Sequence, residues 1–344
     1  MKVVVTGGAG LVGSHCCEFY AKQGHKVVAI DNYKRGDYFG KEGNTVSNVI
    51  ELKKEFPDIL FINMDIRSQE IQNIVKDADI LIHTAAQPSH PKSIDIPIED
   101  FQVNAMGTLN LLEILRQKND DCIFVNCSTN KVYGENPNKI DIIEKETRYD
   151  YTTINGIDES VSLDQTMHTP FGVSKTTGDL YSQEYGTLYG LKTGTFRMGC
   201  ITGPRSKAVE LHNWIPYFFK VNMKEETLNV YGFKGKQVRD IIDARDLVIA
   251  FNRFCERPKP GEVYNIGGGR NNSVSLLEAF EKIENLTGKV MKYALLPQRE
   301  GDHQVYITDF EKFQSHYDWN INIDLDRIFG DIYTWLIGNN MKES

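Results

Sequence analysis

The sequence predicts an α/β chain: a doubly wound parallel sheet with a smaller C-terminal α/β domain that binds substrate. Three observations predict it. Short β-branched runs alternate with helical segments as far as Arg197, the pattern of a parallel sheet joined by crossover helices. The first run opens onto Gly7, Gly10 and Gly13, spaced G-x-x-G-x-x-G. Beyond Arg197 the alternation breaks into shorter, aromatic-rich pieces. A chain of 344 residues has room for one large domain and a smaller one. The expected division gives 1–197 and 241–267 to the sheet, and 198–240 and 268–344 to the smaller domain.

The first 31 residues carry the most information. Val3 to Val5 reads as a buried strand, roughly Leu11 to Lys22 as a helix, and Val27 to Ile30 as a second strand tipped by Asp31. Each part has a use if the ligand is a dinucleotide. Gly7 permits the tight turn, Gly10 lets backbone approach a pyrophosphate, and Gly13 lets helix and strand pack closely. The N–H groups of Leu11, Val12 and Gly13 open a helix whose N-terminus attracts phosphate. Asp31 accepts from a ribose diol and repels a 2′-phosphate, which favours NAD over NADP, although Lys34 and Arg35 follow it closely. This Rossmann-type reading gains weight because the glycines follow a strand and open a helix.

Bulk properties exclude several classes. The formal net charge is −8 with no basic block, so nucleic acid is not an expected partner. No apolar run approaches the ~18 residues that span a bilayer, and no leader pattern opens the chain. The six cysteines form no C-x-x-C pair, which suits reduced thiols in the cytoplasm. Neither Cys nor His falls at metal-ligand spacing, so no metal is expected.

The remaining elements follow in order. Asn32 to Gly43 is a polar loop beside the dinucleotide, leading to a short helix that ends near Phe56. Ile59 to Asn63 is a third strand, with Asp65 and Ile66 placed at its tip near an adenine. Asp79 to His83 is a fourth strand, and Ala85 and Ala86 let backbone approach the cofactor. Gln87, Ser89 and His90 then point towards substrate. Ile98 to Gln117 is one helix, with Asn104 a polar residue needing a partner. Cys122 to Cys127 is the fifth strand, ending in the hydroxyl-rich Ser128 to Gly134, where open α/β sheets bind ligands. The long polar segment Glu135 to His168 has few signs of regular structure. Its Asp158, Glu159, Asp164, Tyr149, Tyr151 and His168 suit a lid, or simply a solvated loop. Thr169 opens a helix to about Tyr189, and Leu191 to Arg197 is the sixth strand. Further on come a turn at Gly203-Pro204-Arg205, helices at Leu211 to Val221 and Leu276 to Thr287, and strands at Leu228 to Tyr231 and Glu262 to Ile266. Gly235 to Asp240 precedes another helix, and Arg299-Glu-Gly-Asp302 is a charged turn ahead of Val305 to Ile307.

Across almost its whole length the chain resembles the extended short-chain dehydrogenase/reductases that act on nucleotide sugars. The resemblance rests on the three glycines, Asp31, Asn104 with Gly107-Thr108, Ser128 to Gly134, Lys175, Arg239-Asp240 and Arg299 to Asp302. Within that family, Ser128 to Gly134, Asn155 to Ser160, Gly235 to Asp240 and Asn265 to Gly268 are most similar to the CDP-paratose (CDP-tyvelose) 2-epimerases. The resemblance implies an NAD-dependent epimerase of a CDP-, GDP- or UDP-linked sugar. Hydride leaves a sugar carbon and returns from the other face through a transient ketone. It implies a cofactor site of Gly7, Gly10, Leu11, Val12, Gly13, Asp31, Asn32, Asp65, Ile66, Ala85, Ala86, Asn104 and Lys175. It implies that Thr129 bonds the reacting oxygen and that Lys175 holds the nicotinamide ribose and eases a nearby deprotonation. Gln87, Ser89, Tyr133 and Arg205 would line the substrate, Tyr231 would flank the nucleobase, and Arg239 and Arg299 would neutralise the diphosphate. The helices after Ile98 and after Phe171 commonly pair across a dimer in this family, implying a homodimer or homotetramer.

Two departures bear on the chemistry. Related 4,6-dehydratases carry Asp-Glu where this chain has Asn130 and Lys131, which argues against water elimination. The family's Tyr-x-x-x-Lys is here Phe171 to Lys175, and phenylalanine exchanges no proton. The Phe is either a deliberate replacement that traps substrate, or native with another base, or the mark of a protein that binds without turnover. Thr129, Lys131, Tyr133, His168, Asp158 and Glu159 are the candidate replacement bases. A net dehydrogenase that needs an external oxidant is the rival enzyme reading.

Overall fold

The computed structural model describes residues 1–343, with side chains to residue 338. Packing divides the chain into two compact units. The first comprises Met1–Val132, His168–Met198 and Leu247–Tyr264, and the second takes the intervening segments and everything after Tyr264.

The first unit is built on a seven-stranded sheet. Its spatial order is 262–266, 193–198, 123–129, 80–83, 2–6, 26–31, 60–63. Pairing is parallel from 193–198 through to 60–63. After Lys2–Thr6 the chain builds outwards to Leu60–Asn63, then returns to the other side of the first strand. That reversal leaves a crevice at the carboxyl ends of Lys2–Thr6 and Ile80–His83, where Thr6 and His83 stand in register. Val4, Val28, Ile30, Leu81, Leu111, Leu112, Leu115 and Phe124 fill one core. The ring of Phe196 packs on those of Phe251, Phe254 and Tyr264.

The helix expected over Ile98 to Gln117 is interrupted. Pro97–Phe101 and Gly107–Lys118 are α-helical, and Gln102–Met106 between them is a π-helical turn. The insertion widens the helix around Asn104, and such turns often accompany functional positions. Gly107 has no Cβ because one would overlap the Ile66 side chain.

The second unit holds a small mixed sheet. Val238–Asp243 pairs with Ser273–Ser275, Val305–Tyr306 and Cys200–Thr202. Thr227–Tyr231 runs parallel to Lys292–Leu296. Phe218, Phe219, Phe280 and Phe329 pack in its core. Val238–Asp243 was not legible as a strand, because Arg239 and Asp240 break its apolar run. Lys292–Leu296 and the helix Leu325–Glu343 were not foreseen either.

The observed division departs from the expected one at 133–167 and 241–246, and by a few boundary residues at Met198 and Asn265 to Gly267. Segment 133–167 belongs with the second unit, not the sheet. It forms a hairpin, Ile142–Glu144 with Tyr149–Tyr151, and the Tyr149 and Ile157 amides donate to the carbonyls of Lys236 and Ile307. Residues 241–246 also pack there, since Ile241 to Asp243 pairs with Cys200 to Thr202.

Candidate functional site

The glycine loop has the geometry its spacing predicts. Gly7 adopts φ +71°, and a Cβ on Gly13 would overlap the Gly7 carbonyl. The Gly7 and Gly8 amides donate to Ile30 O at 2.7 and 3.2 Å, which ties the turn to the second strand. The first helical bond is Ser14 N–H to Gly10 O, so Leu11, Val12 and Gly13 enter the helix with no acceptor inside it. Asp31 reaches back to this loop. One carboxylate oxygen accepts from Ala9 N–H at 3.0 Å and the other from Tyr33 N–H at 2.8 Å. Burial pushes its carboxyl up from the ordinary range, and these two amides oppose the shift.

Asp65 is engaged locally. Arg67 grips it through two bonds of 2.9 and 2.8 Å, and Asn32 donates to it at 2.9 Å. Hydrogen bonds from Arg67 hold its carboxyl down at about 2. Glu99 extends this network to Arg67 and Lys34, so Lys34 has an acidic partner.

The opposite wall of the crevice is Thr84 to Ala86. Thr84 Oγ1 donates to Thr6 O at 2.7 Å, and a Cβ on Gly7 would lie 2.7 Å from Ala85 N. Gln87 and Ser89, expected at the substrate, are fully buried and used internally. Gln87 N–H donates to Asn104 Oδ1 at 2.9 Å, and its side-chain amide donates to Asp100 at 2.7 Å. Asn104, expected at the cofactor, donates to Gln87 O, Asp100 and Ser174. These residues position the wall by joining three segments, and each buried polar group finds its partner within the unit.

His83 was missed in the sequence. Its Nδ1 lies 2.8 Å from Thr6 Oγ1 and its Nε2 3.0 Å from Thr108 Oγ1. Thr108 donates its own proton to Asn104 O at 2.6 Å, so Nε2 carries the imidazole proton and Nδ1 accepts. Burial, helped by the Lys175 charge, lowers its pKa to about 3 and keeps it neutral.

Thr129 ends the fifth strand, and its Oγ1 accepts from Lys131 N–H at 3.2 Å. Lys175 lies on the helix Thr169–Tyr189. Its ammonium is buried and donates to Cys127 O at 2.5 Å. Burial lowers its pKa, opposed by Cys127, Asp179 and Asp100. Phe171, four residues earlier and so on the same helical face, is buried, with its N–H donating to Ser93 Oγ at 3.0 Å. Asp179 and Arg197, also unforeseen, form a buried two-bond pair at 3.0 and 2.9 Å, and Ser128 donates to Asp179 at 2.6 Å. They lock this helix onto the sheet beneath Thr129.

In the second unit the Arg299 guanidinium lies 3.5 Å over the Tyr231 ring. Tyr231 donates to Glu210 at 2.9 Å, and Arg299 stands 3.7 Å from the same carboxylate. Arg239 donates to Asp302 at 2.5 Å and to Val238 O at 2.8 Å. Arg205 stands in the turn after Cys200–Thr202 with φ +66°. Tyr133, expected at the substrate, is fully buried and donates to Asn265 Oδ1 at 2.7 Å. The lid acids also serve the local architecture. Glu159 accepts from Asn265 N–H at 2.6 Å, and Asp158 accepts from the Ser160 amide and hydroxyl. Tyr151, also buried, donates to Val305 O at 2.7 Å. Among the described residues no group of three or more His, Cys, Asp or Glu is arranged for a metal, and all six cysteines are free thiols. No helix among them is long and apolar enough to cross a membrane.

A model of the NAD dependent epimerase/dehydratase family matches residues 3–267. The CDP-paratose 2-epimerase of Salmonella typhi is 34% identical over 97% of this chain and 99% of its own. The putative UDP-glucose 4-epimerase of Methanocaldococcus jannaschii is 30% identical over 98% and 99%. In fold, the chain is similar to a tyrosine-to-phenylalanine mutant of the UDP-glucuronic acid 4-epimerase of Bacillus cereus, solved with UDP-4-deoxy-4-fluoro-glucuronic acid and NAD. The TM-score is 0.83 at 23% identity, covering 98% of this chain and 100% of that one. The UDP-glucose 4-epimerase of Thermus thermophilus in complex with NAD gives a TM-score of 0.79 at 25% identity, over 98% and 99%.

Proposed function

This chain belongs to the NAD dependent epimerase/dehydratase family, and from that premise we propose that it inverts C2 of a nucleoside-diphosphate sugar through a transient 2-keto sugar. One observation carries the reading: the Lys175 ammonium bonds the Cys127 carbonyl on the strand that Thr129 ends, in the unit that holds the glycine loop and Asp31. The full-length likeness to a CDP-paratose 2-epimerase supports the choice of C2 and of a CDP-linked substrate over GDP- or UDP-linked ones.

The residues fit NAD. Gly7 and Gly13 leave a cradle that a Cβ would fill, the helix N-terminus offers amides to phosphate, and Asp31 stands ready for a ribose. When bound, NAD supplies the acceptor and then the donor of the hydride. Lys175 holds the nicotinamide ribose, and its charge eases loss of the substrate hydroxyl proton. Thr129 orients the reacting oxygen. With Asn130 and Lys131 in place of an acid pair, the intermediate is reduced rather than dehydrated. The second unit binds the sugar nucleotide, with Arg239 and Arg299 exchanging Asp302 and Glu210 for diphosphate oxygens.

The protein works as a homo-oligomer in the cytoplasm. Ile98, Phe101 and Met106 on one pair of helical segments, and Val173, Leu180, Tyr181 and Leu188 on Thr169–Tyr189, form an exposed apolar face. Faces of this kind mark association surfaces.

Incubation with NAD and CDP-, GDP- or UDP-linked hexoses, followed by NMR, tests the reading. Inversion at C2 without net NADH is expected. Stoichiometric NADH and ketosugar would identify a dehydrogenase instead. Phe171 favours one second reading, a protein that binds without turnover, and that reading predicts tight binding with no conversion even after Phe171→Tyr.

A further inference from the structure

We propose that His168 is the proton acceptor and donor of the epimerase, in place of the tyrosine that Phe171 replaces. The inference rests on the epimerase reading above and supplies the one group that reading lacks.

Elimination narrows the candidates. Tyr133 is fully buried and donates its hydroxyl proton to Asn265. Glu159 accepts from the Asn265 amide, and Asp158 from the Ser160 amide and hydroxyl. These three belong to the second unit, whereas Thr129, Lys131 and His168 belong to the unit that carries Lys175. A threonine hydroxyl relays a proton but does not hold one. A lysine ammonium offers donors and no acceptor, whereas a neutral imidazole carries one of each and can both take and return a proton.

Geometry ties His168 to Thr129 through a single residue, Lys131. His168 immediately precedes the helix of Phe171 and Lys175. Lys131 touches both partners: its N–H donates to Thr129 Oγ1 at 3.2 Å, and its carbonyl oxygen lies 3.4 Å from His168 Nδ1. A carbonyl at Nδ1 selects the tautomer protonated there and makes Nε2 the basic nitrogen. Gly172 makes the approach possible, because a Cβ there would stand 2.9 Å from both His168 Cβ and Lys131 O. Thr169, between His168 and Pro170, is held at φ +61°. That conformation is costly for a β-branched residue, and such strain collects at functional positions.

The step balances. The C2–H bond breaks and its hydride passes to NAD. The hydroxyl O–H breaks and its proton passes to His168 Nε2, leaving a C2 ketone and an imidazolium. Hydride then returns to the other face of C2 while the imidazolium restores the proton to oxygen. No electrons or protons are gained overall.

His168→Asn tests this. The Asn amide keeps a donor where Nδ1 donates to Lys131 and removes the basic nitrogen. Turnover of the CDP-sugar is expected to fall about 10²–10⁴-fold, with calorimetric NAD affinity unchanged, and His168→Asn/Phe171→Tyr is expected to recover part of the loss. ¹⁵N NMR of the wild type should show Nδ1 protonated. A His168→Asn rate within about tenfold of wild type, or a double variant no faster than the single one, overturns the histidine while leaving the epimerase intact. A wild type that converts no sugar nucleotide overturns both.

Discussion

The Lys175 ammonium lies 2.5 Å from the Cys127 carbonyl oxygen, at a depth where burial opposes its charge. The fold thus spends stability to bury this side chain against the fifth strand. The lowered pKa gives the sign. Between the folded and unfolded pKa values the unfolded chain binds more protons, so the residue costs stability as pH falls through that window. Lys175→Met is therefore expected to raise the melting temperature by a few degrees, on the order of 1 kcal/mol, while abolishing turnover. Differential scanning calorimetry beside the NMR assay checks it, and a lower melting temperature would refute the account.

His83 is neutral when folded, with a pKa lowered to about 3 from 6.5. Below 6.5 the unfolded chain takes up a proton that the folded chain refuses, so stability falls with pH through that window. The loss is about 2 kcal/mol between neutrality and about pH 5. His83→Gln keeps a donor to Thr108 and removes the titration. Urea unfolding at the two pH values should show a steeper acid loss in the wild type than in the variant.

The Asp31 carboxylate fastens the Ala9 and Tyr33 amides, and the proposed function gives it the cofactor ribose as well. Asp31→Ala is expected to weaken NAD by about 1–3 kcal/mol and to narrow the preference over NADP. Calorimetric titration with both dinucleotides reads the ratio. An unchanged NAD affinity would leave the carboxylate a purely structural part.

Arg299 rests on Tyr231 with Glu210 alongside. Arg299→Ala is expected to weaken the nucleoside diphosphate by about 1.5–3 kcal/mol and to leave NAD affinity unchanged. Arg299→Lys should recover only part, because an ammonium cannot form the guanidinium fork. Equal losses for CDP and NAD would point to a folding defect instead.

What was legible in the sequence was local. The glycine spacing, the strand ahead of it and the acid at the tip of the next strand all lie within 31 residues, and their conformation follows from steric rules that act over a few bonds. The i, i+4 spacing of Phe171 and Lys175 likewise set both on one helical face, and the missing phenol was plain. Tertiary structure decided which polar side chains remain for a ligand. Gln87, Ser89, Asn104 and Tyr133 look like site residues in a linear reading. Ser89 caps its own short helix at Lys92, and the other three meet partners that only folding brings near, as Gln87 meets Asn104 and Asp100, and Tyr133 meets Asn265 across 132 positions. The same holds for Val238–Asp243, a strand because three distant segments pair with it. Periodicity is a property of the nearby chain, whereas burial and the satisfaction of a hydrogen bond belong to pairs. No one-dimensional pattern states which pair a residue will join.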